Sequence, residues 1–359
     1  MPIITRIRVI AELTDKIEKY KYKCMSKRNI SVIGGGSWGT VLANLAAKNN
    51  HKALLWMRDS ELCKEINSHK INSKYLPKYT LEEGLMATND ISAIKDSNVV
   101  IYCVPSDSLR EVLLSSSQFL KNDAYIISAT KGVEPGSFFL MSQIIEKETD
   151  SHFKVGVLSG PNLAGEIAEE HLTGTVIASK HQDLSEDIVR IYQTPFFKVY
   201  VNSDPYGVEL GGALKNIYAL ACGIAFGLNA GENTIGMIMT RGLGEMSRLA
   251  HKLGADPMTF LGLSGVGDLI TTCASPLSRN HKMGELIGKG NSLEESKRIV
   301  GQAVEGIKTL EAVKKKSDEV EISMPIVDSL YRVIIKGESL DSVQKILGND
   351  QPKDVEFFK

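Results

Sequence analysis

The sequence predicts an α/β protein in which a doubly wound, mostly parallel sheet precedes an all-helical domain. At 359 residues the chain exceeds the size at which one hydrophobic core stops growing, so we expect two domains. As far as about Asn202, short apolar runs alternate with stretches of helical spacing, the pattern of a parallel sheet. Beyond that point Ala, Gly, Leu and Met at helical spacing replace the β-branched runs. The predicted units are residues 26–202 and 203–359, with residues 1–25 set apart as an N-terminal extension.

Each predicted strand is an apolar run that ends at a loop. Such a run without polar alternation is typical of a strand buried on both faces. The predicted strands are Asn29–Ile33, Lys52–Trp56, Asn98–Val104, Asp123–Ser128, Lys154–Leu158, Thr175–Ala178 and Lys198–Val201. Between the first two, the segment from Ser37 to Lys48 has the apolar spacing of a helix.

Composition and charge exclude several classes of protein. The formal net charge is −1, without the basic excess that nucleic-acid or membrane-surface partners require. The uncharged stretch from Asn216 to Ala230 is shorter than the roughly 20 residues of a membrane span. Five scattered cysteines indicate neither a disulfide framework nor a zinc site, and favour a reducing cytoplasm. The first 24 residues lack the apolar core and cleavage site of a secretory signal.

A glycine-rich turn directly follows the first predicted strand. Gly34, Gly36 and Gly39 fit the spacing G-x-G-x-x-G, and a predicted helix begins within the motif. The first glycine permits a tight turn, the second lets the backbone approach a pyrophosphate, and the third allows close contact of helix and strand. The helix N-terminus then faces the anion. A plain glycine turn is the alternative, but the flanking strand and helix favour a Rossmann-like dinucleotide site.

The end of the second predicted strand reports on the choice between NAD and NADP. An acidic residue there binds the ribose hydroxyls of NAD, whereas an arginine accommodates the 2′-phosphate of NADP. Arg58 and Asp59 provide both kinds of side chain. Because Arg58 comes first we favour NADPH, with a surface ion pair of the two residues as the alternative.

Lys215 is the predicted proton donor for chemistry at a carbonyl group. It lies in Gly211-Gly212-Ala213-Leu214-Lys215-Asn216-Ile217, where small apolar neighbours would desolvate the amine and lower its pKa. The alternative is a lysine whose stem lies along a helix edge with its amine in water. The neighbouring glycines and alanines offer little surface for that arrangement, which favours the functional interpretation.

Three further segments supply candidate polar groups. Lys131 follows the carboxyl end of a predicted strand, where open α/β sheets bind ligands, although a loop lysine is often simply solvated. Asp268 lies between glycines and an apolar run, and could bind Lys215 or a substrate hydroxyl, or could equally be a helix cap. Ser278, Arg279 and Asn280 suit a phosphate group, with a surface position as the alternative.

Eight motifs together resemble the NAD(P)-dependent sn-glycerol-3-phosphate dehydrogenases, most closely the bacterial biosynthetic type. They are GGGSWG, YCVPS, SATKG, SGPNLAGE, GVELGGALKNI, GVGDLITTC, SRNHKMG and AVEG, in the family's order and approximate spacing. The resemblance extends from Asn29 to about Pro325. It implies a Rossmann-like N-terminal domain, a helical substrate-binding and catalytic domain, and a homodimer.

The resemblance also implies roles for individual residues. The dinucleotide would be contacted by Ser37, Trp38, Arg58, Tyr75, Lys131, Ala164, Arg279, Ala303 and Glu305. The substrate would be contacted by Lys131, Gly160, Asn162, Lys215, Asp268, Ser278, Arg279 and Asn280. Lys215 would be the general acid/base, supported by Asp268 and Thr272. Asn162 departs from the family pattern, which has Ser or Thr at that position, and an amide can still donate and accept hydrogen bonds.

The function that the resemblance implies is reversible reduction of dihydroxyacetone phosphate to sn-glycerol 3-phosphate, a phospholipid precursor, with NAD(P)H. One alternative is a β-hydroxyacid or imine reductase of the same two-domain plan, which would prefer an unphosphorylated substrate. The other is a non-catalytic nucleotide-sensing or interaction protein. The presence of Lys215, Asp268 and Arg279 together argues against that second alternative.

Overall fold

A computed structural model describes residues 27–301 and 303–340. The predicted N-terminal extension lies outside the described residues. The strands are β1 (Asn29–Ile33), β2 (Lys52–Trp56), β3 (Ile71–Asn72), β4 (Leu76–Thr80), β5 (Leu85–Thr88), β6 (Val99–Tyr102), β7 (Tyr125–Ser128), β8 (Lys154–Ser159), β9 (Thr173–Ser179) and β10 (Phe197–Asn202). The helices before the end of β10 are α1 (Ser37–Lys48), α2 (Ser60–His69), α3 (Leu109–Ser116), α4 (Met141–Glu148), α5 (Ala164–Ala168) and α6 (Gln182–Tyr192). The later helices are α7 (Pro205–Gly227), α8 (Glu232–Lys252), α9 (Asp268–Ala274), α10 (Arg279–Gly288), α11 (Leu293–Val300), α12 (Glu305–Glu319) and α13 (Pro325–Ile334).

Eight strands form one sheet in the order β10-β9-β8-β7-β6-β1-β2-β5. All neighbouring pairs are parallel except β8 with β9, which is antiparallel. The predicted doubly wound, mostly parallel sheet is therefore confirmed. The central strands β1, β6 and β7 are apolar and almost fully buried, because helices cover both faces of the sheet.

The sequence did not predict the edge strand β5 or the separate hairpin of β3 and β4. β5 has only four residues, of which Met86 is exposed, and β3 has two. None of these segments contains an apolar run longer than three residues. Their neighbours in space, rather than their local sequence, make them strands.

Successive strands are added first on one side of β1 and then on the other. From β1 the chain moves to β2 on one side and then returns to β6 on the other, so the loops after β1 and β6 diverge. The glycine-rich turn follows β1, and Cys103 and Val104 follow β6. Ligands of open α/β sheets bind in the crevice at such a switch point.

A cluster of helices follows the sheet in the chain, and its central member is α7. Nineteen residues of this 23-residue helix, from Gly207 to Ala225, are buried, and α8, α9, α10 and α12 pack against it. By length and composition alone α7 could cross a membrane, but 94% of its most apolar stretch is buried inside the protein. Helix α7 is therefore a buried core helix. No strand follows Asn202 among the described residues, as predicted.

Candidate active site

The glycine-rich turn after β1 has the geometry that a bound pyrophosphate requires. Gly34 has φ +128°, and a Cβ there would lie 2.1 Å from the carbonyl oxygen of Cys103. A Cβ on Gly39 would lie 1.9 Å from the carbonyl oxygen of Gly34. A Cβ on Gly36, in contrast, would meet nothing within 4 Å, and no side chain caps the N-terminus of α1 that begins there. The backbone N–H groups of that helix end are thus left uncapped beside open space, which suits a phosphate.

The residues beside this turn fit a dinucleotide in different ways. The hydroxyl of Ser37 donates to the carbonyl of Tyr75 at 3.0 Å, which holds the β3–β4 segment against the turn. Trp38 is half-buried, and its Nε1 has no hydrogen-bond partner among the described residues. Ala164 begins α5 and packs against the same apolar cluster as Trp38 and Tyr75.

Arg58 and Asp59, which follow β2, differ in their contacts. The Asp59 carboxylate accepts from the backbone N–H of Leu62 at 3.1 Å and so caps α2, and it lies 3.9 Å from the ammonium group of Lys74. Arg58 is exposed, and the structure shows no ion pair between it and Asp59. The alternative of an Arg58–Asp59 surface pair is therefore not what forms.

Two lysines from separate parts of the chain share one buried carboxylate. The ammonium group of Lys215, on α7, donates to Oδ1 of Asp268, at the start of α9. The ammonium group of Lys131, in the loop after β7, donates to Oδ2 of the same residue at 2.6 Å. Lys215 also donates to the hydroxyl of Thr272 at 2.5 Å. Asp268 is thus a partner of Lys215, one of the three interpretations that its sequence position allowed.

The surroundings of Lys215 change its acidity. Its side chain is 7% exposed, and burial lowers the pKa of the amine to about 7. The carboxylate of Asp268 raises that pKa and the charge of Lys131 lowers it, so the two neighbours partly cancel. An amine with a pKa near neutrality can both donate and accept a proton under physiological conditions.

Gly160 and Asn162 lie beside this lysine pair, at the end of β8. The carbonyl of Gly160, a residue with φ +151°, accepts from the ammonium group of Lys131 at 2.9 Å. The amide oxygen of Asn162 accepts from the hydroxyl of Thr175 at 3.0 Å, and its nitrogen lies 3.5 Å from the carbonyl of Gly174. Both polar atoms of Asn162 are thereby directed at β9, so its predicted substrate contact stays a prediction.

The Ser278-Arg279-Asn280 segment starts α10 and continues the site on the helical side. The Ser278 hydroxyl caps the helix by accepting from the N–H of His281 at 3.2 Å. Asn280 is buried and donates to the side chain of Asn216 at 2.9 Å. Its oxygen accepts from the N–H of Gly306 at 2.9 Å.

Arg279 lies close enough to the loop after β6 for its charge to act on Cys103 in that loop. Burial raises the pKa of the Cys103 thiol to about 12, and the positive charges of Lys131 and Arg279 oppose that rise. The guanidinium group is exposed at the first turn of α10. Its field therefore reaches the crevice next to the glycine-rich turn, where an anionic ligand would lie.

The two residues predicted for the nicotinamide end lie at the start of α12. Glu305 accepts from the hydroxyl of Ser106 at 2.6 Å and from its N–H at 3.4 Å. A Cβ on Gly132 would lie 3.1 Å from the same carboxylate, so Glu305 is adjacent to the Lys131 loop. Ala303 is exposed just before the helix.

Three polar residues of this region were not predicted from the sequence. They are Asn216 and Ser106, whose contacts are given above, and Glu209, a buried carboxylate on α7. Asn216 and Glu209 stand out in hindsight as polar residues within the otherwise apolar GVELGGALKNI segment. Nothing in the sequence around Ser106 indicates its partner 199 residues away.

No cluster of three or more His, Cys, Asp or Glu side chains that could hold a metal ion occurs within residues 27–301 and 303–340. The functional groups that the fold brings together are two lysines, a carboxylate, a threonine and a glycine-rich helix start. They define a class of protein: a dehydrogenase built from a Rossmann-type sheet followed by a helical part.

Comparison with known proteins gives the family. The model of the NAD-dependent glycerol-3-phosphate dehydrogenase N-terminus matches residues 29–185, and the model of its C-terminus matches residues 204–345. A glycerol-3-phosphate dehydrogenase (NAD(P)+) of Saccharophagus degradans is 44% identical over 354 residues, which cover 98% of this chain and 99% of that protein. One of Teredinibacter turnerae is 46% identical and covers 91% of this chain and 97% of its own length. The chain belongs to the NAD-dependent glycerol-3-phosphate dehydrogenase family.

Solved structures agree with this assignment. A glycerol-3-phosphate dehydrogenase of Coxiella burnetii superimposes with a TM-score of 0.85 at 34% identity. The match covers 90% of this chain and 98% of that one. The family resemblance predicted from the sequence motifs is therefore confirmed.

Proposed function

We propose that this protein reduces dihydroxyacetone phosphate to sn-glycerol 3-phosphate, reversibly, with a nicotinamide dinucleotide. The observation that most supports it is the buried pair of Lys215 and Asp268 joined to Lys131 beside the loops that follow the sheet. The names of the relatives, all NAD(P)+ glycerol-3-phosphate dehydrogenases, support the same substrate and cofactor class.

In this proposal Lys215 exchanges the proton of the reaction. The bound dinucleotide supplies the hydride for the carbonyl carbon. The Lys215 ammonium protonates the carbonyl oxygen, and in the reverse direction the neutral amine removes the hydroxyl proton. Asp268 and Thr272 orient the Lys215 amine through their hydrogen bonds, which keeps it in one position while the oxygen becomes charged.

The phosphate group of the substrate would be held at a distance from the reacting carbon. Lys131, Arg279 and the start of α10 with Ser278 and Asn280 supply the cations and donors. Ser278 retains its own O–H proton and Asn280 one N–H group beyond the bonds described above. Binding energy at the phosphate would then orient the carbonyl for reaction.

The residues present fit a nicotinamide dinucleotide, as the open helix start at Gly36 and the unpartnered Nε1 of Trp38 indicate. Gly34, Gly36, Ser37 and Trp38 would hold its phosphates and neighbouring atoms, with Gly39 supporting the turn. Tyr75, Ala164, Ala303 and Glu305 would contact the rest. Because Asp59 is engaged as a helix cap and Arg58 is exposed, we favour NADPH over NADH.

We further propose that the product supplies the backbone of glycerophospholipids, that the protein acts in the cytoplasm and that it forms a homodimer. The division into a dinucleotide-binding domain, 26–202, and a helical domain, 203–359, follows the change from strands to helices between β10 and α7.

The test is an absorbance assay of the purified protein with dihydroxyacetone phosphate and either NADPH or NADH. We expect oxidation of the cofactor that requires the phosphorylated ketone and is faster with NADPH at low concentration. Preference for an unphosphorylated hydroxyacid or its keto form would favour the alternative reductase. Binding of the cofactor without turnover of any ketone would favour a nucleotide-sensing protein.

A further inference from the structure

Glu209 is a buried carboxylate that the proposed mechanism does not use. It is the fifth residue of α7 and 2% exposed, and no lysine or arginine pairs with it among the described residues. Its hydrogen bonds instead come from two serines. A buried carboxyl group without a cation costs free energy unless such donors satisfy it, so its position calls for a physical reason.

The two serines lie at the two ends of one loop. Ser128, the last residue of β7, donates its hydroxyl proton to Oε1 of Glu209 at 3.1 Å. Ser142, in the first turn of α4, donates its backbone N–H to the same oxygen at 3.1 Å and its hydroxyl proton to Oε2 at 2.5 Å. One carboxyl group thus joins both ends of the segment 129–141.

That segment contains Lys131, three residues after Ser128. Its other end is fixed as well, because the N–H of Ser142, which has no partner within the first turn of α4, donates to both carboxylate oxygens of Glu209. Between the two ends Lys131 reaches Asp268, and Gly132 lies against Ser106 and Glu305. Displacement of either end would therefore move the ammonium group of Lys131.

Glu209 and Lys215 belong to the same helix, six residues apart, or about 9 Å along its axis at 1.5 Å per residue. Between them, Gly212 packs so closely that a Cβ there would lie 2.4 Å from the hydroxyl of Ser159 and 3.8 Å from the side chain of Lys131. The helix with Lys215 and the loop with Lys131 are thus joined at two places. Glu209 of the helix binds the ends of the loop, and Asp268 binds both lysines.

We infer that Glu209 is a positioning residue, which clamps the base of the 129–141 loop to α7 and so fixes Lys131 relative to Lys215. This inference rests on the proposed function, since the position of Lys131 matters because it binds substrate. Glu209 does not itself contact the reacting atoms. It acts through Ser128 and Ser142, and its loss loosens one lysine of the pair.

The test uses Ser128→Ala, which removes one of the donors and leaves Glu209 with its bonds to Ser142. We expect KM for dihydroxyacetone phosphate to rise about threefold to tenfold, the effect of one buried hydrogen bond, with the dissociation constant of NADPH changed less than about twofold. Glu209→Ala should raise KM further, and Glu209→Gln, which keeps one acceptor oxygen, should fall between the wild type and Glu209→Ala.

Ser116→Ala is the matched control. Its buried hydroxyl, on α3, bonds to the side-chain hydroxyl of Tyr102 at 2.7 Å. The main chain of Tyr102, not its side chain, pairs with Ser128 and accepts from the N–H of Ala129, so the substitution leaves those contacts in place. We expect a comparable fall in Tm for Ser116→Ala and Ser128→Ala, with no change of KM in the control. A shift of KM in Ser116→Ala equal to that in Ser128→Ala would overturn the inference, because general loosening of the sheet would then explain both.

A double-mutant cycle with Lys131→Ala distinguishes positioning from a general structural role. If Ser128 acts through Lys131, Ser128→Ala should lower kcat/KM in the wild-type background and leave it unchanged in the Lys131→Ala background. Equal effects in both backgrounds, or none in the wild type, would overturn the inference. An inactive wild-type protein would instead refute the proposed function, so the two failures are distinguishable.

Discussion

Asp268 binds two ammonium groups with one carboxylate, which leaves the buried cluster of Lys131, Lys215 and Asp268 with an excess of positive charge when both lysines are protonated. A phosphorylated substrate carries nearly two negative charges, so it would balance this excess together with the positive charge of Arg279. Isolated buried charges are costly, and this cluster limits that cost by having both carboxylate oxygens accept hydrogen bonds. Burial keeps the pKa of Lys215 low, and the charge of Lys131 adds to that effect.

The lowered pKa of Lys215 predicts opposite pH dependences for the two directions of the reaction. Reduction needs the ammonium form, so its kcat/KM should fall as pH rises above about 7. Oxidation needs the neutral amine, so its kcat/KM should rise with pH toward a plateau above about 7. Rates in both directions between pH 6.5 and 9 would check this, above the second phosphate pKa of about 6. The same trend in both directions would contradict the assigned role.

Arg58 is predicted to discriminate between the two cofactors. Arg58→Ala should raise KM for NADPH about tenfold or more, the effect of losing a charge-assisted hydrogen bond, and change KM for NADH less than about threefold. Arg190→Ala, which removes another exposed arginine, on α6, is the control and should change neither. Equal effects of Arg58→Ala on both cofactors would show that the guanidinium group does not distinguish the 2′-phosphate.

Several residues of the site were identifiable from sequence because their neighbours in the chain made them unusual. A lysine among small apolar residues predicted the buried amine of Lys215, and the end of a strand placed Lys131. The partners of Asn162 and Asn280 were not predictable. Their amides bond to β9, Asn216 and Gly306, contacts that exist only once distant segments are packed together.

At the scale of elements, the turn between β1 and α1 allows two glycines to be distinguished by substitution. Gly36→Ala should leave Tm near that of the wild type, because its Cβ enters open space, but should weaken dinucleotide binding at least about tenfold by blocking the pyrophosphate. Gly39→Ala should cost about 3 kcal/mol of stability or more, because its Cβ overlaps the carbonyl oxygen of Gly34.

Gly84→Ala is the control for both, since its Cβ would make an ordinary contact 3.8 Å from Ala47. It should change neither Tm nor affinity. Thermal unfolding and a binding titration with NADPH measure the two effects separately. Full dinucleotide affinity in Gly36→Ala would place the pyrophosphate elsewhere.

The last described helix, α13, depends on a buried carboxylate of α8. Glu245 accepts from the N–H of Ile326 at 2.7 Å, at the start of α13, and from the hydroxyl of Tyr218 at 3.1 Å. Glu245→Ala leaves both buried donors without a partner and should cost about 2–5 kcal/mol in the free energy of unfolding, measured with urea. Glu186→Ala, an exposed glutamate, should cost less than about 0.5 kcal/mol. Equal effects would contradict this role.

The elements predicted best from the sequence were the strands that are buried on both faces. The buried strands β1, β6 and β7 were evident because they are mostly apolar and contain no charged residue. The edge strand β5 was not, since its pairing with β2 depends on the helix before it returning the chain to the sheet. The antiparallel pairing of β8 with β9 likewise follows from the short connection through α5, which local patterns do not specify.

At the scale of the whole molecule, the site forms only because the sheet and the helices meet. Lys131 belongs to the sheet loops and Lys215 to the first long helix, and Asp268 joins them. A second contact is made at the start of α12, where Glu305 binds Ser106 and Lys308 pairs with Asp107. The change of sequence texture after Asn202 predicted the two parts, but not which of their surfaces would meet.

The most direct test of the account is the activity of Lys215→Ala with dihydroxyacetone phosphate, measured together with its affinity for NADPH. Lys289→Ala, an exposed lysine on the helical side, is the control. We predict that kcat of Lys215→Ala falls about 100-fold to 10,000-fold, the usual effect of losing a general acid, while the NADPH dissociation constant changes less than about twofold. Near-normal turnover in this variant, with the cofactor bound as in the wild type, would contradict the account.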